Sequence, residues 1–281
     1  MADHFPLIPD GCPPYTKSLR AEGPNPQSQI PDPKSPTGLG IFVAMLCGQE
    51  GGLSRLDVGI YQAIRGSLVQ GRRFDIITNN LANVGTTGFK KDTLIFDQTL
   101  QEYVKTDLSQ GSLRLTGNPL DIAVEGDGFF EIETPRGIRY TRSGNFCLNA
   151  DGVLVTKNGA PVLGKNGSIL IGKGDITIDT QGQIKIGQKV VDSLSVVRFV
   201  RPERLRKEGL SYCVYNGDQN EIVKPEKVLV KQGCLEESNV MVVEEMTKMI
   251  ETLRTYESYQ KIIQTFDETS NKAINDVGRV Q

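Results

Sequence analysis

Asp121, Glu125 and Asp127 are the carboxylates close enough in sequence to suggest acid–base work. In a strand, Asp121 and Glu125 share a face, and Asp127 falls inside a Gly-Asp-Gly turn. General acid–base chemistry needs carboxyl groups in unlike surroundings within reach of a substrate. Turn and strand-edge duty explains these three with fewer assumptions. The stretch "NADG" at 149–152 looks like part of a calcium loop but lacks the later acidic ligands, so a hairpin turn is expected. There is one histidine, His4, in a segment with no pattern of folded structure. Schemes built on Ser-His-Asp, Cys-His or His-bound metal need a rigidly held imidazole, so they have no place here. Five cysteines (12, 47, 147, 213 and 234) are dispersed without metal or redox spacing. No glycine-rich phosphate loop is present. The run "RFVRPERLRK", 198–207, places Arg198, Arg201, Arg204, Arg206 and Lys207 close together and is expected to be a solvated loop around Pro202. A net charge of -2 argues against nucleic acid as a partner. The residue inventory thus gives no sign of an enzyme, a cofactor, a metal or a small-molecule substrate.

The elements that would position these residues fall into four parts. Residues 1–56 are rich in Pro, Gly, Ser and Gln, a composition that cannot offset the entropy of ordering, and are expected to be a disordered N-terminal extension. The apolar "IFVAMLC" at 41–47 is too short for a membrane span. From Asp57, expected as an N-cap, Ile60, Ile64, Leu68, Phe74, Ile77 and Leu81 recur at helical spacing, while Gly66 and Gly71 each lower helix stability by roughly 1 kcal/mol. Residues 90–235 turn to short period-two runs separated by Gly126-Asp127, Arg136-Gly137, Asp151-Gly152, Asn158-Gly159, Asn166-Gly167 and Gln181-Gly182. That pattern predicts an antiparallel, all-β domain built of hairpins. From 236 the chain returns to helix, with Asn239 the preferred N-cap and Ser238 or a later start the alternatives. Val242, Met246, Met249, Leu253, Tyr256, Gln260 and Ile263 follow a 4-3-4-3-4-3 spacing of coiled-coil type. The expected fold is therefore mainly β with terminal helices: an all-β hairpin-rich central domain, 90–235, bracketed by N- and C-terminal coiled-coil-type helices, 57–89 and 236–281.

One stretch does not fit an isolated helix. In "NNLANVGTTGFKK", 79–91, Asn79, Asn80 and Asn83 crowd the end of an apolar helix that could use one of them as a cap. This stretch resembles the signature that follows the N-terminal helix in the bacterial flagellar rod and hook family of axial proteins. "LEESNVMVVEEMTKMIETLRTYESYQKII", 235–263, resembles that family's C-terminal signature, and "NPLDIAVEGDGFFEIETPRGIRYTRSGNFCLNADGVLVTKNGAPVLG", 118–164, resembles the β-domain signature of its longer rod members. The resemblance spans 57–280, and the short stretch between Gly88 and Asp121 is similar to the proximal-rod subgroup. Residues 1–56 match nothing in that family and are expected to be a disordered extension, translated only on paper from an upstream start codon.

The resemblance implies a structural subunit exported unfolded through the flagellar export apparatus and stacked into the torque-transmitting rod of the basal body, which crosses the periplasmic space. Its partners would be copies of itself and neighbouring flagellar rod proteins. Both terminal helices would line the inner wall, with the β domain outside. Assembly contacts would then fall on Ile64, Leu68, Phe74, Asn79, Asn80, Leu81, Asn83, Gly88 and Phe89 at the N-terminal end. At the C-terminal end they would fall on Asn239, Val242, Met246, Met249, Leu253, Tyr256, Gln260 and Ile263. The three asparagines would hydrogen-bond to neighbouring subunits and set register. The rival reading is a coiled-coil-oligomerised extracellular or periplasmic β-domain adhesin or binding module.

Overall fold

A computed structural model describes residues 55–96, 101–172, 176–225 and 229–278. His4, the apolar run 41–47 and the extension up to residue 54 lie outside the described residues. The first element, α1 (Arg55–Ala82), already includes Asp57, which is therefore a helical residue and not the N-cap expected from the sequence. Arg55 and Leu56 are good helix formers with no breaker before Asp57, so the helix runs through them.

The strands follow in order. β1 (Asp92–Phe96) and β2 (Glu102–Thr106) form a hairpin pairing Asp92 with Thr106. Next come β3 (Leu113–Leu115), β4 (Ile122–Glu125), β5 (Phe129–Thr134), β6 (Gly137–Thr141), β7 (Phe146–Leu148) and β8 (Leu154–Thr156). They are followed by β9 (Leu163–Gly164), β10 (Gly167–Ser168), β11 (Ile176–Ile178), β12 (Gln183–Ile186), β13 (Lys189–Ser193) and β14 (Val196–Phe199). The last are β15 (Leu205–Glu208), β16 (Tyr212–Tyr215), β17 (Ile222–Val223), β18 (Leu229–Gln232) and β19 (Cys234–Glu236), ahead of α2 (Val242–Gly278). The strand pairings are antiparallel, and the largest sheet has the order β15-β16-β6-β5-β14-β17. In all six turn pairs read from the sequence, the glycine sits at positive φ. Leu194 and Ser195 separate β13 from β14.

Alternation along β5 divides the interior. Phe130 and Ile132 point into the main core with Ile122, Leu154, Val162 and Ile184. Phe129 points the other way, into a smaller cluster with Tyr140, Phe199, Leu205 and Cys213. Two late strands return to early ones: β18 pairs with β4 (Val230 opposite Val124) and β19 with β3 (Leu235 opposite Arg114). This return brings the chain leaving α1 and the chain entering α2 to the same place.

Among the described residues the chain forms two compact units, 70–254 and 55–69 with 255–278. The first holds the sheets together with residues 70–89 and 236–254. Within the second, α1 and α2 run close: a Cβ added at Gly59 would lie 2.9 Å from the Phe266 ring, and one at Gly66 would lie 2.5 Å from the Tyr259 ring. Gln260 Nε2 donates to Ser67 Oγ at 3.2 Å across the same contact. Gly66 thus gives up helix propensity for a close helix approach.

Candidate assembly interface and its anchoring junction

At the end of α1, the Asn83 amide donates to the carbonyls of Asn79 and Asn80, and its side chain donates again to Asn79 O at 2.8 Å. Thr86 Oγ1 donates to Asn83 Oδ1. Asn83 therefore stops the helix by occupying its last free carbonyls. Gly88 follows at φ +67, where an added Cβ would lie 2.4 Å from Ser143 N, so only glycine fits.

Asn80 is 1% exposed and engaged on all sides by its own chain. Its Nδ2 donates to Asp92 O (2.8 Å) and Glu245 Oε2 (3.2 Å), and its Oδ1 accepts from Asp92 N (2.9 Å). A carboxamide presents a donor and an acceptor like a peptide group, so Asn80 acts as a strand partner for the first residue of β1. Asn239 does the same at the other root. Its Oδ1 accepts from Lys91 N (2.7 Å), and its Nδ2 donates to Asp107 O (2.9 Å). It does not cap α2, which starts at Val242. The first-turn amide of Glu245 bonds to Met241 O.

Beneath these amides lies a buried charge node. Lys90 Nζ is 2.5 Å from Glu236 Oε1 and donates to Ser109 O at 2.6 Å. Arg142 Nη1 is 3.3 Å from Glu236 Oε2, and its Nη2 donates to Gly126 O at 2.7 Å. The Glu236 side chain is wholly buried and also accepts from Gly111 N at 3.0 Å. Burial pulls both Lys90 and Arg142 below their ordinary pKa values, and the neighbouring Glu236 opposes that shift. Lys207 Nζ stands 3.6 Å over the Phe89 ring and bonds Lys90 O (2.7 Å) and Asp92 Oδ2 (3.0 Å). The basic run is therefore not wholly a solvated loop. Lys207 ties the β body to the root of α1, while Arg201 and Arg204 pair with Glu221.

The sequence did not mark Lys90, Arg142, Lys207, Glu236 and Glu245 as one site, although Lys207 lies in the basic run and the two glutamates lie in acidic pairs ahead of and within the first turn of α2. Arg142 is a lone charge, the other four each sit beside a like charge, and the Lys90–Glu236 pair spans 146 residues. The pair Lys90-Lys91 immediately after Phe89 was a further signal.

The apolar residues expected at the interface divide by burial. Phe89 is buried, and Phe74, Leu81, Met249 and Ile263 are half-covered. Ile64 and Leu68 on α1, and Val242, Met246, Leu253 and Tyr256 on α2, are exposed; Leu68 is 66% exposed and Met246 is 50%. Asn79 is exposed, whereas Asn80, Asn83 and Gly88 belong to the junction. On α2 the covered side passes instead through Glu245, Thr252, Tyr259 and Phe266, itself a seven-residue repeat. Met241, Val243 and Ile250 widen the uncovered apolar side.

The carboxylates that suggested chemistry point to separate partners. Asp121 accepts from Thr116 and Asn118, Glu125 pairs with Lys231 at 2.9 Å, and Asn149 Oδ1 holds its turn through the amides of Asp151 and Val153.

Comparison with known proteins places these features. The profile of the "Flagella basal body rod protein" family matches residues 60–90, which hold most of α1 and the asparagine stretch. The profile of the "Flagellar hook protein FlgE/F/G D1 domain" matches 123–189, and that of the "Flagellar basal body rod FlgEFG protein C-terminal" matches 231–276. The flagellar basal-body rod protein FlgF of Caulobacter vibrioides is 34% identical over 250 residues, covering 80% of this chain and all of the relative. FlgF of Mesorhizobium japonicum is 32% identical over 78% of this chain and 97% of its own length. FlgG of Bacillus subtilis is 31% identical over 77% of this chain and 97% of its own length. These relatives favour the rod over the adhesin reading, and the family is structural and not enzymatic. Carried by its N-terminal, β and C-terminal signatures in order, the chain belongs to the flagellar basal-body rod protein family.

Proposed function

We propose that the chain is a proximal-rod subunit of the FlgF type, which builds the torque-transmitting axial tube through apolar helix faces left uncovered in the free subunit. The observation that carries this reading is the uncovered side of α2. Val242, Met246, Leu253 and Tyr256 lie exposed along a helix whose other side is already packed. A contiguous exposed apolar strip on a soluble fold is a contact surface. Ile64 and Leu68 give α1 a matching strip. On this reading, Phe74, Leu81, Met249, Gln260 and Ile263 border the contact, and Asn79 is the asparagine free to reach a neighbour.

The close approach of α1 and α2 at Gly59 and Gly66 supports a coiled-coil-type pairing of the terminal helices. The functional division follows: 57–89 with 236–281 form the tube wall, and 90–235 the outer β domain. Neighbouring rod proteins and further copies of the chain are the partners. The subunit reaches them unfolded, through the flagellar export apparatus.

Leu253→Lys tests the reading. Burying a leucine is worth roughly 1.5–3 kcal/mol, and a lysine there adds a charge that the contact cannot pair. Leu253 is half in solvent in the free chain, so the melting temperature of the purified protein is expected to hold. Export should continue, while cells lose rods, hooks and motility. A variant that assembles normally, or one whose free chain unfolds, removes the basis for the assignment.

A further inference from the structure

Two cations and one carboxylate share the buried node, and the carboxylate is supplied by the end of the chain. We infer that Glu236 works as a latch that makes the roots of α1 and α2 close in a single step, after the β body has formed. The inference concerns the free subunit and does not depend on how subunits stack.

Without Glu236, Lys90 Nζ keeps the hydrogen bond to Ser109 O, and Arg142 keeps those to the carbonyls of Val124 and Gly126 and its place 4.8 Å over the Phe129 ring. Two cations without a directly paired carboxylate would then face one another with side chains no more than 4% exposed, leaving Asp107 and Asp127 to act on them from farther off. Removing one partner of a buried pair is far more damaging than the pair is stabilising, because the remaining charge is stranded. Here one carboxylate serves two cations, so its loss strands both.

Glu236 lies on β19, which can be placed only by pairing with β3 and by following β18 onto β4. Its arrival also forms the bonds that cross between the roots. Gly88 N donates to Glu236 O at 2.8 Å, and Lys91 N donates to Asn239 Oδ1. Asn80 meets Glu245 in the first turns of α2. The root of α1 therefore keeps its ties to Lys207 and Ser109 but lacks its buried ion pair and its cross-root bonds until the root of α2 is present. A chain lacking its C-terminal segment would hold a formed β body and a loose N-terminal helix.

Native-state hydrogen exchange of the full chain, in rising sub-denaturing guanidinium, tests the latch without any substitution. The amides of Gly88, Lys91, Asp92 and Glu237 should merge into one opening with a shared denaturant dependence. Leu154 N, which is bonded to Ile169 O in the core, should stay protected until global unfolding. Separate openings of the two roots, or a junction that opens only with the core, overturn the proposal. Glu236→Gln should then raise exchange at Gly88 and Asp92 by about tenfold or more, with Leu154 unchanged. Adding Lys90→Met should recover part of that protection, because one stranded charge is gone. If the double variant exchanges as fast as Glu236→Gln or faster, the node is packing and the charge argument fails. Should Glu236→Gln not fold, the exchange pattern of the unaltered chain decides.

Discussion

At the scale of single residues, the junction runs on side chains that stand in for backbone. Asn80 pairs with both polar groups of Asp92 while also reaching Glu245. Asn80→Leu leaves the buried Glu245 carboxylate oxygen and the half-buried amide and carbonyl of Asp92 short of a partner, at about 1–3 kcal/mol for each group left wholly unpaired. A loss of roughly 3 kcal/mol in chemical denaturation of the free chain is therefore expected. If Asn80 instead served only contacts between subunits, free-chain stability would not move. The sequence showed that three asparagines at a helix end needed a reason, but it could not show the partner, since Glu245 is 165 residues away. A second residue-scale expectation concerns acid. Hydrogen bonds from Arg139 and then Arg136 hold Glu208 below the ordinary carboxylate pKa. A lowered folded-state pKa contributes stability above the unfolded value, and that stability is lost as pH falls through the folded one. Melting temperature should therefore decline below about pH 4.5, and Glu208→Gln should flatten part of that decline. A Glu208→Gln profile parallel to the unaltered protein would show that the two arginines contribute nothing there.

The helices show what periodicity can and cannot reveal. Seven-residue spacing located α2 correctly, yet two such repeats run along it: Glu245, Thr252, Tyr259 and Phe266 on the covered side, and the aliphatic strip on the exposed one. Hydrophobicity alone selected the strip the free chain does not bury, because the covered side begins with a glutamate that has an asparagine and a lysine to meet. In the β region, six glycine turns were legible because each needs a positive φ that few residues other than glycine adopt readily. The return of β18 and β19 to β4 and β3 was not, since long-range pairing leaves no local pattern. Gly66 offers a test at this scale. In an exposed helix, Gly→Ala stabilises by roughly 1 kcal/mol. Here the new methyl would meet the Tyr259 ring, and overpacking costs about 1–3 kcal/mol. Gly66→Ala should therefore speed amide exchange around Tyr259–Phe266. Slower exchange would mean that the two helices do not approach as described.

At the scale of the whole molecule, the boundary of the stable body decides which parts await assembly. The sequence placed that boundary at the ends of the strand pattern, residues 90 and 235. The compact unit instead reaches back to Gln70 and on to Arg254, because the junction captures the last turns of α1 and the first turns of α2. Trypsin should report the difference in the purified chain. Lys90, Arg142 and Lys207 are held inside the junction, and Lys248 is paired with Glu244 and Glu245. Lys261 and Lys272 lie in the other unit and are exposed. Cleavage at Lys261 and Lys272 should run about tenfold or more ahead of cleavage at Lys248, leaving a fragment that keeps the β body and the start of α2. In isolated basal bodies the same two lysines should resist, because the helices are then packed among subunits. Early cleavage at Lys248 would shrink the stable body back to the strands. Equal resistance at Lys261 in the free chain would mean that the distal helices need no neighbours to be ordered, and assembly would then have to be driven from another surface.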